Sequence, residues 1–335
     1  MIDLDALKKG GISVEEAENI LSLDGLPQSV LDIAGSLRDE RLGRELRFLI
    51  PQPRFPSVSV TGARCALRCE HCRGHFLTGM NNTDTPEKLK DFCTRLDAEG
   101  GVGVLVSGGS DPRGHVPLEG FLDAITWVKE NTSLIVNLHT GLLNPLQAEA
   151  IASTGADVIS MDVVGSDDTI KRVYGLDATV EDYAETLVNL RDARVPYLVP
   201  HVCAGLDFGE IKGEARALEI IRNVDPDIIV IIALIPTRGT GMENVTPPSV
   251  EAIAKTVAAA RLMHTDTSIA MGCMRPKAEK TLEERLAIQA GADRIVLPSR
   301  STVEYALSEG FTVKHLDGCC AIPKGLEHLA LRDDL

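Results

Sequence analysis

From Phe55 onward, short apolar runs alternate with longer segments in which apolar residues recur at helical spacing. The repeat is about 30 residues long, the size of a unit in which one helix connects two parallel strands. Strands that are apolar along their length and lie between helices favour a parallel sheet that is covered on both faces. The apolar runs predict eight strands: Phe55–Thr61, Gly103–Ser107, Leu134–His139, Val158–Val163, Tyr197–Ala204, Ile228–Ile235, Ser268–Cys273 and Arg294–Leu297.

Amphipathic segments between these runs predict helices, with Asp or Thr at several starts and Gly after several ends. They are Pro86–Glu99, Leu118–Asn131, Val180–Ala193, Ser249–Met263 and Leu282–Ala290, preceded by Val14–Leu21 and Gln28–Arg47. The alternation predicts an α/β fold, a closed (β/α)8 barrel of the TIM type, whose strand ends face one common mouth. We expect one domain in three parts: an N-terminal helical extension (residues 1–50), the barrel (residues 51–310) and a C-terminal tail near the mouth (residues 311–335).

Composition narrows the class of protein. The 335 residues are 44% hydrophobic, enough for a large core, and the net charge of −15 argues against nucleic acid or an anionic membrane as a partner. No apolar run is long enough to cross a bilayer, and the start of the sequence has no signal-peptide pattern. We therefore expect a cytoplasmic protein whose 8 cysteines are metal ligands or free thiols rather than disulfides.

Three of those cysteines follow the first predicted strand directly, as Cys65-x3-Cys69-x2-Cys72. They offer three thiolates for a four-iron cluster, which normally takes four, so one iron would be left open for chemistry. The alternative is a structural zinc site, which needs a fourth ligand that His71 or His75 would supply.

Polar and ligand-type residues also end the other predicted strands, while the strand bodies are apolar. This partition is expected of an enzyme built on such a barrel. The residues concerned are Ser107, Gly108, Gly109, Ser110, His139, Asp162, His201, Cys203, Glu210, Pro236, Thr237, Arg238, Gly239, Thr240, Cys273 and Arg275. Core packing is the alternative for His139 and His201, and helix capping is the alternative for Glu210.

The cysteine motif, Ser107-Gly108-Gly109 and the run Ile235–Thr240 together resemble the radical S-adenosylmethionine (SAM) superfamily, and most of all its biotin synthase-like branch. The resemblance extends from about Val58 to Ser299. It implies that Cys65, Cys69 and Cys72 bind a [4Fe-4S] cluster whose open iron is chelated by SAM. Reductive cleavage of SAM would then give a 5′-deoxyadenosyl radical, which abstracts hydrogen from an unactivated carbon, while the protein positions the reactants.

The same resemblance implies how SAM is held. Gly108 and Gly109 would let the backbone approach the methionine moiety, with Ser110 beside them. Asp162 is the candidate for the ribose hydroxyls, and Glu210 is a further cofactor candidate. Pro236, Gly239 and Thr240 would hold the adenine side of SAM. Two departures from the family pattern are His71, where an aromatic residue is frequent, and Ser110, where Glu is frequent.

A narrower resemblance links the chain to an archaeal group of biotin synthase homologues that includes one half of a two-protein lipoyl synthase (EC 2.8.1.8). The motifs are Ser107–Gly114, Pro200–Leu206, Gly272–Pro276 and Gly318–Cys320. The implied reaction is sulfur insertion at C6 or C8 of octanoyl-lysine on a lipoyl-carrier protein, an H protein or an E2 lipoyl domain. The implied partners are a second radical SAM component and a ferredoxin-type reductant. The alternative is methyl transfer, rearrangement or carbon–carbon bond chemistry on a small metabolite.

Sulfur insertion requires a sulfur donor, and a sacrificial auxiliary iron–sulfur cluster meets that need. We expect its ligands to be Cys273 with the adjacent Cys319 and Cys320 of the tail, and Cys203 is a further candidate. An exposed vicinal pair in a tail is a liability unless it binds something. Buried cysteines more often act as small hydrophobic residues, which is the alternative for Cys203 and our interpretation of Cys93.

Overall fold

One parallel sheet forms the centre of the computed structural model, which describes residues 3–332. Residues 1–2 and 333–335, the outer ends of the predicted extension and tail, lie outside the described residues. The strands run in the order β11-β1-β10-β9-β8-β7-β6-β5-β4-β2-β3. They are β1 (Glu45–Leu49), β2 (Ser57–Ser59), β3 (Asn81–Asn82), β4 (Gly103–Ser107), β5 (Ile135–His139), β6 (Val158–Asp162), β7 (Tyr197–Ala204), β8 (Ile228–Ala233), β9 (Ser268–Met271), β10 (Arg294–Val296) and β11 (Thr312–Leu316).

Helices cover the outer face of the curved sheet, and their apolar sides pack against the outward residues of the strands. They are α1 (Leu4–Lys9), α2 (Val14–Leu21), α3 (Gln28–Leu42), α4 (Pro86–Ala98), α5 (Leu122–Asn131), α6 (Pro145–Ser153), α7 (Asp167–Thr169), α8 (Val180–Asp192), α9 (Glu214–Arg222), α10 (Val250–Met263), α11 (Lys280–Gln289), α12 (Arg300–Ser308) and α13 (Glu327–Ala330). The predicted α/β fold of the TIM type is therefore confirmed, and the eight predicted strands correspond to β2 and β4 to β10. None of the helices within residues 3–332 has the length and apolar character needed to span a bilayer.

Two details differ from the prediction. The helix predicted over Gln28–Arg47 ends at Leu42, because Gly43 follows with a φ of 80° and the chain continues as β1. That strand pairs with β10 on one side and with β11 on the other. Among the described strands the sheet ends at β11 on one side and at β3 on the other, and these two edge strands do not pair, so the sheet is an open barrel rather than a closed one.

The tail enters the barrel from the end opposite the mouth. Its apolar residues Ala321 and Ile322 are buried in an inner cluster that includes Phe55, which precedes β2, and Ile135, the first residue of β5. Burial of these apolar groups favours this position over an exposed tail. The sequence placed the tail near the mouth, whereas these contacts bring it into the interior from the opposite end.

A buried ion network holds the tail in place. Glu327 of α13 accepts from Arg47 of β1 at 2.7 Å and from Arg294 of β10 at 2.6 Å. Arg294 also donates to the carbonyl of Ile322 at 2.8 Å. All three charged side chains are almost fully buried. Removing the carboxylate would therefore take from Arg294 its close carboxylate partner and leave Arg47 with Glu45 alone.

Candidate functional site

The cysteine motif forms a tight loop after β2. The ligand atoms of Cys69, His71 and Cys72 all lie within 4.8 Å of one another. Cys65 lies on the same loop, with its Sγ 3.9 Å from the carbonyl of Ser110. The Ala66 N–H donates to that same carbonyl at 2.8 Å, so the segment after β4 fixes the start of the loop.

Metal binding requires thiolates, and one of the two hydrogen-bonded thiols of this loop is held in that form. The thiol of Cys69 donates to Cys72, and this hydrogen bond, helped by His71, lowers the pKa of Cys72 to about 4. The same hydrogen bond and burial raise the pKa of Cys69, so the pair shares one proton. Three adjacent cysteines match the donor set of a four-iron cluster with one open position. His71 Nδ1 is buried without a hydrogen-bond partner among the described residues, so the zinc alternative of the sequence stays open on geometry alone.

The Gly108-Gly109 pair lies against the cysteine loop. A Cβ on Gly109 would lie 2.6 Å from both Cα and Cβ of Cys65, and closer still to the Arg64 carbonyl. A Cβ on Gly108 would meet only Thr61 and Val60, at 3.1 to 3.2 Å. The close approach at Gly109 is therefore to the loop that carries the cysteines, whereas the resemblance implied an approach to the methionine moiety.

Two open clefts, each about 390 Å³, flank this loop. One is lined by Thr61, Cys65, Gly109 and Ser110 among others. The other is lined by residues that include Arg172 and Tyr174. Both lie within the size range of small-molecule sites. The first brings the predicted methionine-side residues to Cys65.

The strand ends below the loop bring together His139, Asp162 and His201. Their ligand atoms lie within 4.8 Å of one another, and His139 Nε2 is 3.6 Å from Asp162 Oδ1. Enclosure in the barrel raises the pKa of Asp162, but His139 outweighs it, aided by His201 and His71, so that the pKa falls to about 2. Burial and the neighbouring His139 lower the pKa of His201 to about 4. Asp162 is thus an anion, His201 is a neutral imidazole at pH 7, and 44% of the Asp162 side chain is exposed to a ligand.

The turn after β8 is tied to itself and to the cysteine loop. Thr240 Oγ1 donates to the Thr237 carbonyl at 2.7 Å, and the N–H of Gly239, at a φ of 81°, donates to Glu243 at 2.8 Å. Pro236 opens this turn. Gly241 lies against the carboxylate of Glu70, the flexible end of a side chain of the cysteine loop. The predicted adenine-side residues therefore lie next to the cluster loop.

Glu210 and Glu214 follow β7 in contrasting surroundings. Glu210 is exposed in the loop. Glu214 is buried at the start of α9, where one carboxylate oxygen accepts the Gly205 N–H at 2.8 Å. Burial, only partly offset by this bond, raises the pKa of Glu214 to about 7. Glu214 is thus the acidic residue with the unusual environment. The sequence did not single it out, because nothing in the local pattern distinguishes a buried Glu214 from the exposed Glu210.

The tail brings its cysteines into the interior. Cys273, Cys319 and Cys320 all pack against the inner apolar cluster. The Asn137 amide donates to Cys319 at 3.7 Å, and Cys320 Sγ lies 3.6 Å from His201 Nε2. The hydrogen bond from Cys320 lowers the pKa of Cys319, and the same bond and burial raise the pKa of Cys320. The structure therefore brings the three predicted cysteines together at the far end of the interior.

The two remaining cysteines lie elsewhere. Cys203 packs against the main apolar core, and its Sγ contacts the Ala204 carbonyl at 3.9 Å. Cys93 is buried in α4, in the apolar core that we predicted for it. Asn137 lies near the end of its predicted strand, but its contact with Cys319 could not be read from the sequence. Arg275 is held by Glu283 and Glu284, so its charge is already paired.

Comparison with known proteins agrees with this geometry. The profile of the radical SAM superfamily matches residues 59–236, more than half of the chain. The profile described as the biotin and thiamin synthesis associated domain matches residues 195–317. Among curated proteins, the biotin synthase of Agrobacterium fabrum is 31% identical over 72% of this chain and 71% of its own length. That of Prochlorococcus marinus is 28% identical over 71% and 72%.

Solved structures support the fold. Methylornithine synthase (PylB) superposes with a TM-score of 0.67 at 17% identity, over 92% of this chain and 96% of its own. HydG of Carboxydothermus hydrogenoformans, a FeFe-hydrogenase maturase, gives 0.67 at 15% identity, over 92% and 78%. Radical SAM proteins use a [4Fe-4S] cluster and SAM, so the superfamily match confirms both of these predicted cofactors. The chain belongs to the radical SAM superfamily, in which it is a homologue of biotin synthases and carries their associated C-terminal domain.

Proposed function

We propose that this protein is a sulfur-inserting radical SAM enzyme and, more narrowly, a lipoyl synthase component that acts on protein-bound octanoyl-lysine. The observation that carries the proposal is that one barrel interior has a thiol set at each end. Cys65, Cys69 and Cys72 lie at the mouth, and the tail brings Cys319 and Cys320 to Cys273 from the opposite end. A substrate chain between the two sets would meet a hydrogen-abstracting group and a sulfur source.

At the mouth, Cys65, Cys69 and Cys72 would hold the [4Fe-4S] cluster with SAM on its open iron. When bound, this pair supplies the radical that removes hydrogen from an unactivated carbon. Ser110, with Gly109, lines the cleft beside Cys65, where the methionine end of SAM would lie. Asp162 is anionic and half-exposed, which suits hydrogen bonds from ribose hydroxyls.

At the other end, Cys273, Cys319 and Cys320 would hold the auxiliary cluster, which supplies sulfide. Asn137 supports the site through its contact with Cys319. Between the two ends lie His139, Asp162 and His201. His201 contacts Cys320, and the charge of His71 in the cysteine loop acts on Asp162, so this trio connects the two thiol sets.

The choice of octanoyl-lysine rests on the archaeal motifs at residues 107–114, 200–206, 272–276 and 318–320. A linear apolar chain also suits an interior whose far half is lined by apolar side chains. We expect the partners to be a second radical SAM component, an octanoylated H protein or E2 lipoyl domain, and a ferredoxin-type reductant. The reduced thiols that the chemistry needs favour the cytoplasm.

A second candidate is the formation of biotin by sulfur insertion into its sulfur-free precursor. It is favoured by the curated relatives, which are named biotin synthase and match about three quarters of the chain at 24 to 31% identity. Both candidates use the same two thiol sets, so they differ in substrate and not in the chemistry of the barrel.

The test is an anaerobic assay of the reconstituted protein with SAM and reductant, read by mass spectrometry. An octanoyl-lysyl peptide is supplied with and without a second radical SAM component, and the sulfur-free precursor of biotin is supplied in parallel. We expect thiolated octanoyl peptide and no biotin. Formation of biotin alone would support the second candidate, and SAM cleavage without any sulfur-containing product would contradict both.

A further inference from the structure

We propose that His201 is the fourth protein ligand of the auxiliary cluster, beside Cys273, Cys319 and Cys320. The inference rests on the proposed function, since it names a ligand of the cluster that the proposal places there. Three cysteines leave one position of a cluster without a protein ligand, and the structure offers a specific side chain for it.

The orientation of His201 supports this role. Its Nδ1 is 3.1 Å from the Val199 carbonyl, a group that can only accept, so Nδ1 carries the proton. The unprotonated Nε2 therefore points at Cys320 Sγ, 3.6 Å away. A histidine that donates one ring N–H to a backbone carbonyl and presents its other nitrogen is the usual arrangement of a metal-bound imidazole.

The competing side chains are less well placed. Cys203 lies two residues further along β7 on the same face as His201, but its Sγ contacts the Ala204 carbonyl at 3.9 Å, and the charge that acts on it most is that of Asp162 rather than one of the three cysteines. Asn137 already donates to Cys319, and its carbonyl oxygen accepts from Ser160 at 2.9 Å. His139 is directed to Asp162 at 3.6 Å. His201 is thus the uncommitted nitrogen in contact with the cysteine set.

An imidazole ligand also suits a cluster that gives up sulfide. When a carbon radical bonds to a cluster sulfide, one carbon–sulfur bond forms and one electron passes to a cluster iron. Replacing thiolate by imidazole raises the reduction potential of an iron–sulfur cluster. The neutral ligand therefore makes the iron a better acceptor for that electron than a fourth cysteine would.

The test isolates the auxiliary cluster in a Cys65→Ala/Cys69→Ala/Cys72→Ala background, reconstituted anaerobically with ⁵⁷Fe and sulfide. Mössbauer spectra, which detect every iron, are compared for the background and for added His201→Gln, His201→Cys, His139→Gln and Cys203→Ala. The background is expected to show a separate iron component with nitrogen ligation. That component is expected to disappear in both His201 variants and to persist in the His139 and Cys203 variants.

The two His201 variants separate ligation from folding. His201→Gln is expected to lose iron to a chelator at least about tenfold faster, as happens when a metal site loses supporting groups. His201→Cys restores four thiolates and is expected to keep its iron while lacking the nitrogen component. Persistence of that component in His201→Gln, or its loss only in Cys203→Ala, would overturn the inference and leave the sulfur-donor proposal standing. A background that binds no iron would contradict the auxiliary cluster itself.

Discussion

From the contact between Gly109 and the cysteine loop we predict that a larger residue at position 109 slows the cleavage of SAM. In Gly109→Ala the new methyl group would lie 2.6 Å from Cys65 Cα and Cβ, below the 3.0 Å that real Cβ contacts respect, and closer still to the Arg64 carbonyl. These are backbone-linked atoms, so the loop that carries the cysteines has to move. Overpacking of this kind costs about 1–3 kcal/mol of folding free energy. A misplacement of roughly 1 Å in a reacting group can lower a rate about 100-fold.

The matched control is Gly108→Ala, whose methyl group would meet only Thr61 and Val60 side-chain atoms at 3.1 to 3.2 Å. We expect Gly109→Ala to cleave SAM about 10–100-fold more slowly than the parent, and Gly108→Ala to stay within about threefold. Reductive cleavage of SAM to 5′-deoxyadenosine, normalised to bound iron, measures this, and thermal unfolding reports the fold. Equal rates for the two variants would refute the idea that Gly109 positions the cluster loop.

Three further predictions concern the tail, the acid buried at the start of α9 and the SAM site. Glu327→Ala removes the close carboxylate partner of the buried Arg294 and one of the two partners of Arg47, so urea unfolding should show a loss of about 3–5 kcal/mol in the free energy of unfolding. A loss below about 1 kcal/mol would contradict the anchoring role. The pKa of Glu214 is raised from 4.5 to about 7, so its contribution to the free energy of unfolding is complete below pH 4.5 and is lost as the pH rises to about 7, by up to about 3 kcal/mol. The free energy of unfolding of Glu214→Gln should lack this dependence on pH, and an unchanged dependence would refute the assignment. Asp162→Asn should weaken SAM binding about 10–100-fold with iron content unchanged, and unchanged binding would argue against the ribose role.

The positions of the strands could be predicted from the sequence because a strand buried on both faces must be apolar throughout. The cysteine loop was predictable for a different reason, since its three ligands lie within eight residues and need no long-range contact to meet. The end of α3 was missed although Gly43 was visible, because the apolar positions Leu46 and Phe48 also fit a helical repeat. Strand β1 is stabilised by pairing with β10 and β11, which are distant in sequence.

The location of the tail depends on contacts that no local pattern contains. Cys319 and Cys320 were recognised as a vicinal pair, but the end from which they enter is set by Ile322 in the inner cluster and by the ion pairs of Glu327. Similarly, the contact between His201 and Cys320 spans 119 positions in the sequence. The cysteines of the auxiliary-cluster site were therefore predictable from the sequence, whereas their assembly and the contact with His201 were not.

In the proposed enzyme, one barrel joins a radical-generating end, at Cys65, Cys69 and Cys72, to a sulfur-donating end, at Cys273, Cys319 and Cys320. The most direct test is a single anaerobic turnover of protein whose clusters were reconstituted with ³⁴S-sulfide, supplied with octanoyl-lysyl peptide, the second radical SAM component, SAM and reductant. We expect thiolated peptide that carries ³⁴S from the parent protein. We expect no labelled peptide from a Cys273→Ala/Cys319→Ala/Cys320→Ala variant that still cleaves SAM. Product with sulfur of natural isotopic abundance, or labelled product from that variant, would contradict the proposal.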